Sequence, residues 1–222
     1  MPPQFRSGIS VLDIRPLLWR DGWPVAGDNF AEGTYEIESA RTGTALELAV
    51  QGVPVGGARG GGRGGGAPGG GRGAPGGRGD GTGGSPIPAQ DVSQVAGNWP
   101  AGTIDLRMSP YLSQAQQKWA ITPVATAGGY PGSPYFKITI AGTDRALSAT
   151  AEGDVVAVAA FTGAPDQLWR IDQLTDGTYR VMPKAVPNSK ESMALSAVGS
   201  STPTLATFRP DSDRQRWLFK TP

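Results

Sequence analysis

The chain contains Gln117-Lys118-Trp119, Gln167-Leu168-Trp169 and Gln215-Arg216-Trp217, three copies of one Gln-x-Trp triplet. Their tryptophans lie 50 and 48 positions apart. A nearly constant period of this length is typical of folds built from repeated supersecondary units. The triplet therefore divides the chain into three copies of one unit, each ending shortly after its tryptophan.

An Ala-Leu pair precedes each triplet. The pairs are Ala45-Leu46, Ala146-Leu147 and Ala194-Leu195. The step from the leucine to the glutamine of the triplet is 20 positions in the second and third units, but 71 in the first. The first unit therefore carries an excess of about 51 residues, and a tract at 56–84 composed mainly of Gly, Arg, Ala and Pro lies within it.

Each unit opens with an aromatic-x-aliphatic motif in a short alternating run. The motifs are Tyr35-Glu36-Ile37, Phe136-Lys137-Ile138 and Tyr179-Arg180-Val181. Their aromatic residue lies 11 positions before the leucine in the first two units and 16 in the third. Alternation of β-branched and aromatic residues between Gly, Pro, Asp and Ser predicts an all-β protein. The one helical passage expected is a short or 3₁₀ turn near Ser113–Trp119.

A unit of four short strands cannot bury its apolar face alone, whereas three units can close a barrel with pseudo-threefold symmetry. We therefore predict a β-trefoil of three Gln-x-Trp repeats, with a long Gly/Arg-rich insertion in the first repeat. The pattern resembles the ricin-type lectin family over about residues 33–222. The resemblance implies that the tryptophans pack near the pseudo-axis and that the glutamine amides hold loops through backbone hydrogen bonds. The residues given this structural role are Gln117, Trp119, Gln167, Trp169, Gln215 and Trp217.

The predicted organisation is an N-terminal strand and turn at 1–32, a trefoil at 33–222 and a disordered insert at about 52–100. A Gly/Arg-rich segment cannot bury enough apolar surface to fold. Because the entropy of loop closure grows only logarithmically with length, a folded domain tolerates such an insert.

Two phrases in the N-terminal segment resemble the closing part of the five-bladed propeller of glycoside hydrolase family 43, the arabinanase and xylosidase group. They are Val11-Leu12-Asp13-Ile14-Arg15-Pro16-Leu17-Leu18-Trp19 and Asp21-Gly22-Trp23-Pro24-Val25. This resemblance implies an upstream glycosidase catalytic domain as a partner, whose catalytic carboxylates lie on blades that the chain lacks. We therefore expect no catalytic residue here. The alternative is an N-terminal strand that packs on the trefoil.

The amino-acid composition excludes several kinds of catalytic and metal-binding site. The chain has no cysteine and no histidine, which excludes Ser-His-Asp catalysis and imidazole or thiolate metal ligation, so we expect no metal and no cofactor. Its 20 Lys plus Arg against 19 Asp plus Glu give no general electrostatic attraction for nucleic acid or anionic lipid, which argues against nucleic acid as a partner. No apolar run is long enough to span a membrane. Because no apolar region follows residues 1–6, we expect no signal peptide within the given sequence, and the family resemblance implies an extracellular or periplasmic location.

The function expected from the resemblance is binding of a plant-type polysaccharide or of a glycan containing galactose, arabinose or xylose. Such a site needs a carboxylate or amide for paired hydroxyls and an aromatic ring for the sugar face. The family pattern places the acid just after the Ala-Leu pair, the aromatic in mid-unit and a further polar residue before the glutamine. Mapped onto this chain, it gives Glu47, Asp105, Tyr111 and Gln116 in the preferred first unit, Phe161 and Asp166 in the second, and Phe208 in the third. The second and third units depart from the pattern, with Ser148 and Ser196 at the acid position and Arg214 before the last glutamine.

Three alternatives stay open at this point. The trefoil can be a structural docking domain with degenerate sugar sites, in which Phe161 and Phe208 are core residues and Glu47 is a solvated strand residue. The tract can contact RNA through its Arg-Gly pairs. A hydrolase needs a carboxylate pair, and candidates such as Asp13 and Asp21 cannot be told from turn and strand residues. The arginines of the RNA hypothesis are Arg59, Arg63, Arg72 and Arg78.

Overall fold

The structure is a computed structural model that describes residues 17–20, 22–26, 30–50, 92–130 and 133–222. Within these ranges the chain forms sixteen strands, one turn of α-helix and five 3₁₀ turns. None of the helices described there is long and apolar enough to cross a membrane. The prediction of an all-β protein is confirmed.

The strands fall into three units of four and two additional hairpins. The hairpins are β1 (Leu17–Arg20) with β2 (Trp23–Ala26), and β7 (Gly129–Tyr130) with β8 (Ser133–Pro134). The first unit consists of β3 (Gly33–Ser39), β4 (Ala45–Leu48), β5 (Ile104–Ser109) and β6 (Trp119–Pro123). The second consists of β9 (Phe136–Ile140), β10 (Ala146–Ala149), β11 (Val155–Val158) and β12 (Trp169–Gln173). The third consists of β13 (Tyr179–Pro183), β14 (Met193–Ser196), β15 (Thr204–Thr207) and β16 (Trp217–Lys220).

The outer strands of the three units close a six-stranded antiparallel barrel. Going round it, β3 pairs with β6, β6 with β9, β9 with β12, β12 with β13, β13 with β16, and β16 with β3 again. A closed ring leaves no strand edge unpaired. The two inner strands of each unit pair as a hairpin: β4 with β5, β10 with β11, and β14 with β15. This is the predicted β-trefoil.

The 3₁₀ turns recur as regularly as the strands. One such turn immediately precedes the last strand of each unit and contains the glutamine of the triplet. They span Ala115–Gln117, Pro165–Gln167 and Asp213–Gln215, and two more lie at Ala96–Asn98 and Ala125–Ala127. The helical passage predicted near Ser113–Trp119 is therefore the 3₁₀ turn of the first unit.

The insertion lies between β4 and β5, and its residues 51–91 are outside the described residues, as are the four arginines of the RNA hypothesis. The prediction extended the disordered insert to residue 100, and this is wrong at its C-terminal end. A helix, α1 (Val92–Val95), and a 3₁₀ turn follow the insert, and the Val95 side chain is buried. The Arg145 guanidinium holds the next segment by donating to the carbonyl of Gly102 at 2.6 Å and to that of Pro100.

A cluster of aromatic rings fills one part of the barrel, with the buried Phe30 at its centre. The cluster includes the opening aromatic of every unit, which shows why the sequence repeats that residue type. The ring centroids lie 5.1 Å from Phe30 for Tyr35, 5.6 Å for Phe136, 5.4 Å for Tyr179 and 4.7 Å for Phe219. Phe30 was assigned to the separate segment 1–32, so the trefoil begins a few residues earlier than the predicted boundary.

The N-terminal segment forms two strands where one strand and a turn were expected. The two strands pair in antiparallel orientation, with Leu17 opposite Ala26 at one end and Arg20 opposite Trp23 at the other. The two-residue connection contains Gly22 at φ 82°, a backbone conformation that favours glycine. Residues 1–16, which carry most of the first propeller-like phrase, and Asp21 lie outside the described residues.

Phe30→Ala tests whether this residue belongs to the trefoil core. Removing a buried phenylalanine leaves a cavity as well as unburied apolar surface, so we expect the free energy of unfolding to fall by about 3–5 kcal/mol. Urea unfolding followed by tryptophan fluorescence measures the loss. The control is Leu112→Ala, since that side chain is exposed and its removal should change stability by about 0.5 kcal/mol or less. Equal stability of the two variants would contradict the assignment of Phe30 to the core.

Candidate functional site

The three triplet tryptophans make the same hydrogen bond in every unit. Each indole has no solvent exposure, and its Nε1 donates to the carbonyl of the leucine in the Ala-Leu pair. The distances are 2.9 Å from Trp119 to Leu46, 3.0 Å from Trp169 to Leu147 and 3.0 Å from Trp217 to Leu195. The bond satisfies a buried donor and ties the last strand of a unit to its second strand.

The three glutamines hold the loop that carries the mid-unit aromatic residue. In each unit the glutamine Oε1 accepts from the backbone N–H directly after that aromatic. The donors are Leu112 at 2.8 Å, Thr162 at 2.7 Å and Arg209 at 2.9 Å. Tyr111, Phe161 and Phe208 are therefore equivalent, although Phe208 is one residue farther from its glutamine in sequence.

Glu47 is neither a solvated strand residue nor an open acid. Its side chain is buried, with 2% of its surface exposed. One carboxylate oxygen accepts from Arg107 Nε at 2.5 Å, and the other accepts from Gln117 Nε2 at 2.8 Å. Both oxygens are thus engaged inside the protein. A sugar hydroxyl at this carboxylate would have to displace one of these donors.

The other predicted residues of the first unit differ in accessibility. Gln116 is buried, and its amide donates to the side chain of Gln114. Asp105 is exposed on β5, two residues before Arg107. Burial raises the pKa of the half-buried Tyr111, and the charge of the Glu36 carboxylate acts in the same direction. The first unit therefore presents Asp105 to solvent but turns its acid and its amide inward.

The second unit brings its predicted residues together in a more open arrangement. Ser148, at the acid position, donates from Oγ to Asp166 Oδ2 at 2.7 Å. Phe161 and Asp166 are both partly exposed, as is Tyr111 in the first unit. Phe161 directly precedes Thr162, and Asp166 directly precedes Gln167. The hydrogen bond from Thr162 to Gln167 therefore fixes both the loop that carries the ring and the turn that carries the acid. Sequence analysis read Ser148 as a departure from the pattern, and here it orients the aspartate.

In the third unit an arginine covers the aromatic residue. The guanidinium carbon of Arg180 lies 4.7 Å from the centroid of the Phe208 ring. Ser196 is buried, Arg214 is exposed, and no hydrogen bond joins the two in the described chain. The third unit therefore lacks the acid-bearing arrangement of the second.

Sequence analysis missed the middle residue of the aromatic-x-aliphatic motif, which interacts with the mid-unit aromatic of the same unit. Lys137 Nζ lies over the ring of Phe161, 5.7 Å from its centroid, and the Arg180 guanidinium lies closer over Phe208, at 4.7 Å. In the first unit this residue is Glu36, whose charge acts on Tyr111. The signal was present in the sequence, because the middle residue is charged in all three copies.

Glu36 also belongs to a buried pair of carboxyl groups on β3. Burial raises the pKa of Glu36 to about 7, and both a hydrogen bond with Glu38 and the charge of Glu38 add to the shift. Burial acts in the same direction on Glu38, but hydrogen bonds with Glu36 and Lys220, together with the Lys220 charge, hold the pKa of Glu38 below its usual value. Lys220 Nζ donates to Glu38 and lies 4.0 Å from Glu36. The pair therefore retains one proton up to about neutral pH.

None of the residues that the structure describes forms a group of three or more Asp or Glu able to hold a metal ion.

Glu47→Ala should lower stability, in contrast to a change at a purely ligand-binding acid. The variant removes a buried acceptor from Arg107 and Gln117, which costs about 1–3 kcal/mol. Thermal unfolding followed by circular dichroism measures the change. Glu152→Ala is the matched control, since Glu152 is exposed in the turn between β10 and β11. An unchanged melting temperature for Glu47→Ala would contradict the structural role of this carboxylate.

Glu36→Gln should change how stability depends on pH. Between pH 4.5 and about 7 the unfolded chain releases the Glu36 proton while the folded chain retains it, so this group destabilises the protein as the pH rises. The melting temperature of the wild type should therefore fall relative to that of Glu36→Gln between pH 5 and pH 8. Glu152→Gln should follow the wild type throughout. Parallel curves for all three proteins would contradict the raised pKa.

Comparison with known proteins agrees with this architecture. Residues 115–204 match the family model described as ricin-type beta-trefoil lectin domain-like. A comparison with curated protein sequences gives no match.

Among solved structures, a designed threefold symmetric protein, ThreeFoil, has a TM-score of 0.51 and 14% identity, covering 85% of this chain and 99% of that one. A mosquitocidal holotoxin has a TM-score of 0.53 and 12% identity, covering 86% of this chain, which spans only 17% of the toxin's length. At these identities the likeness shows the fold alone. The chain thus has the β-trefoil fold, with a segment similar to ricin-type lectin domains.

Proposed function

We propose that this trefoil is a non-catalytic carbohydrate-binding module whose principal site lies in the second unit. The observation that carries the proposal is the Asp166 carboxylate, which Ser148 orients, in a loop where Gln167 holds the backbone next to the partly exposed Phe161. A carboxylate accepts hydrogen bonds from paired sugar hydroxyls, and an aromatic face packs against the apolar face of a sugar ring. The match of residues 115–204 to a lectin-like family model, which includes these residues, supports it.

This site differs from the one that the sequence favoured. In the first unit, Glu47 and Gln116 are engaged by protein groups and buried. In the second, no protein donor other than Ser148 occupies the Asp166 carboxylate within the described chain. An acceptor that is already oriented and still open binds hydroxyls without losing an internal partner. Ligand roles for Asp105 and Tyr111 stay predictions.

The proposed biological setting is a module accessory to a family 43-like glycoside hydrolase, acting outside the cell or in the periplasm on plant-type polysaccharide. The resemblance of residues 11–25 to the closing part of the family 43 propeller supports the link to such a hydrolase. A shallow site with few contacts binds with about millimolar affinity. Attachment to an enzyme compensates, since tethering raises the effective concentration at a polysaccharide surface.

Asp166→Ala and Phe161→Ala should abolish most polysaccharide retention without unfolding the protein. Affinity electrophoresis through gels containing arabinan, xylan or galactan measures retention, and the retaining gel identifies the sugar class. We expect at least about a tenfold loss for each variant, equivalent to about 1.4 kcal/mol. Asp211→Ala is the control, since Asp211 is exposed outside the site.

The same experiment addresses the docking alternative, which the sealed first unit and the arginine-covered third unit favour. If the wild-type protein passes through all three gels without retention, carbohydrate binding is wrong and a structural role replaces it. If retention persists in both variants but is lost in Asp105→Ala, the site belongs to the first unit.

A further inference from the structure

The three mid-unit aromatics are equivalent in backbone position but differ in the charge they meet. In the first unit the motif residue is acidic, and a lysine from β16 compensates its neighbour Glu38. In the third unit Arg180 is buried and pairs with Asp172 at 2.9 Å. The positive charge of the third unit is therefore neutralised within the protein. Among the described residues, the cation at this position lacks an acidic partner only in the second unit.

Lys137 makes no ion pair with any described residue. The neighbours of Lys137 in the sheet are uncharged. Thr122 lies opposite it on β6, and Thr139 follows it on the same face of β9. Two acids lie near Phe161 along the backbone. The carbonyl of Asp144 accepts a hydrogen bond from the Phe161 N–H, and Asp166 lies in the loop that Gln167 holds. Neither carboxylate lies within 4.0 Å of the ammonium. The partly exposed lysine thus places a positive charge, which no described acid neutralises, beside the proposed aromatic platform.

We propose that Lys137 selects an acidic saccharide, one carrying a carboxylate or sulfate group, at the second-unit site. This inference rests on the proposed function and adds the ligand class to it. Phe161 contacts the sugar ring, Asp166 accepts from its hydroxyls, and the ammonium of Lys137 pairs with the anionic substituent. An acidic sugar avoids repulsion from Asp166 when its anionic group points toward Lys137. The two charges therefore set the direction in which the sugar lies, as well as its class.

The test compares pairs of polymers that differ only in charge. Affinity electrophoresis of the full chain uses polygalacturonan against its carboxyl-reduced form, and a sulfated galactan against its desulfated form. An ion pair at a half-exposed lysine should strengthen retention by the acidic member about two- to fivefold. That increment should disappear at high ionic strength, because salt screens exposed charges.

Variants locate the effect. Lys137→Gln should erase the preference for the acidic polymer, whereas Lys137→Arg should keep it. Lys190→Gln is the matched control, because Lys190 is exposed on a loop of the third unit. A preference confined to one polymer pair identifies the anion as carboxylate or sulfate, and either result supports the proposal. Melting temperatures of all variants establish that each is folded.

Two negative results are distinguishable. Equal retention by the charged and neutral members of both pairs, with Asp166→Ala still losing retention, would overturn the role of Lys137 and leave carbohydrate binding intact. The same conclusion follows if Lys137→Gln keeps the preference. If no polymer retains the wild-type chain, the proposed function and the acidic ligand fall together.

Discussion

The fold depends on one hydrogen bond made three times, from a buried indole N–H to the carbonyl of a leucine 22 positions upstream in two units and 73 in the first. Tryptophan fills the barrel interior and carries a single donor, which must be satisfied once water is excluded. Each bond joins a barrel strand to the hairpin strand of its own unit. Barrel and hairpins are therefore held in register by the largest fully buried side chains of the described chain.

That interaction explains why the first unit survives its insertion. Trp119 still reaches Leu46, and Gln117 bridges to Glu47, although the chain between them includes the whole tract. Arg107 reinforces the junction by donating to both Glu47 and the carbonyl of Val50, the last described residue before the gap. Since closing a longer loop adds little entropy cost, a few contacts at its two ends suffice to keep the hairpin paired.

The fold was predictable from sequence because the same residue types, glutamine and tryptophan, recur at a nearly constant spacing. Few architectures are compatible with such a repeat. The site was less predictable. A glutamate at the acid position reads as a ligand until the β4–β5 register places Arg107 opposite it, and the insertion hides that register. Phe30 precedes the first repeat, so no periodic signal marks it as core. By contrast, the charged middle residue of each opening motif was visible, and only the fold reveals that it meets the mid-unit aromatic.

Backbone symmetry and side-chain asymmetry therefore have separate roles. The bond to each glutamine Oε1 and the bond from each indole N–H recur in all three units, so the backbone offers three equivalent platforms. The charged residue that meets each mid-unit aromatic differs between the units and is acidic, cationic or internally paired. Glu36 with Glu38, Lys137, and Arg180 with Asp172 are three such solutions. One scaffold thereby provides three different electrostatic environments, and under our proposal the charge of Lys137, which no described acid pairs with, discriminates among ligands.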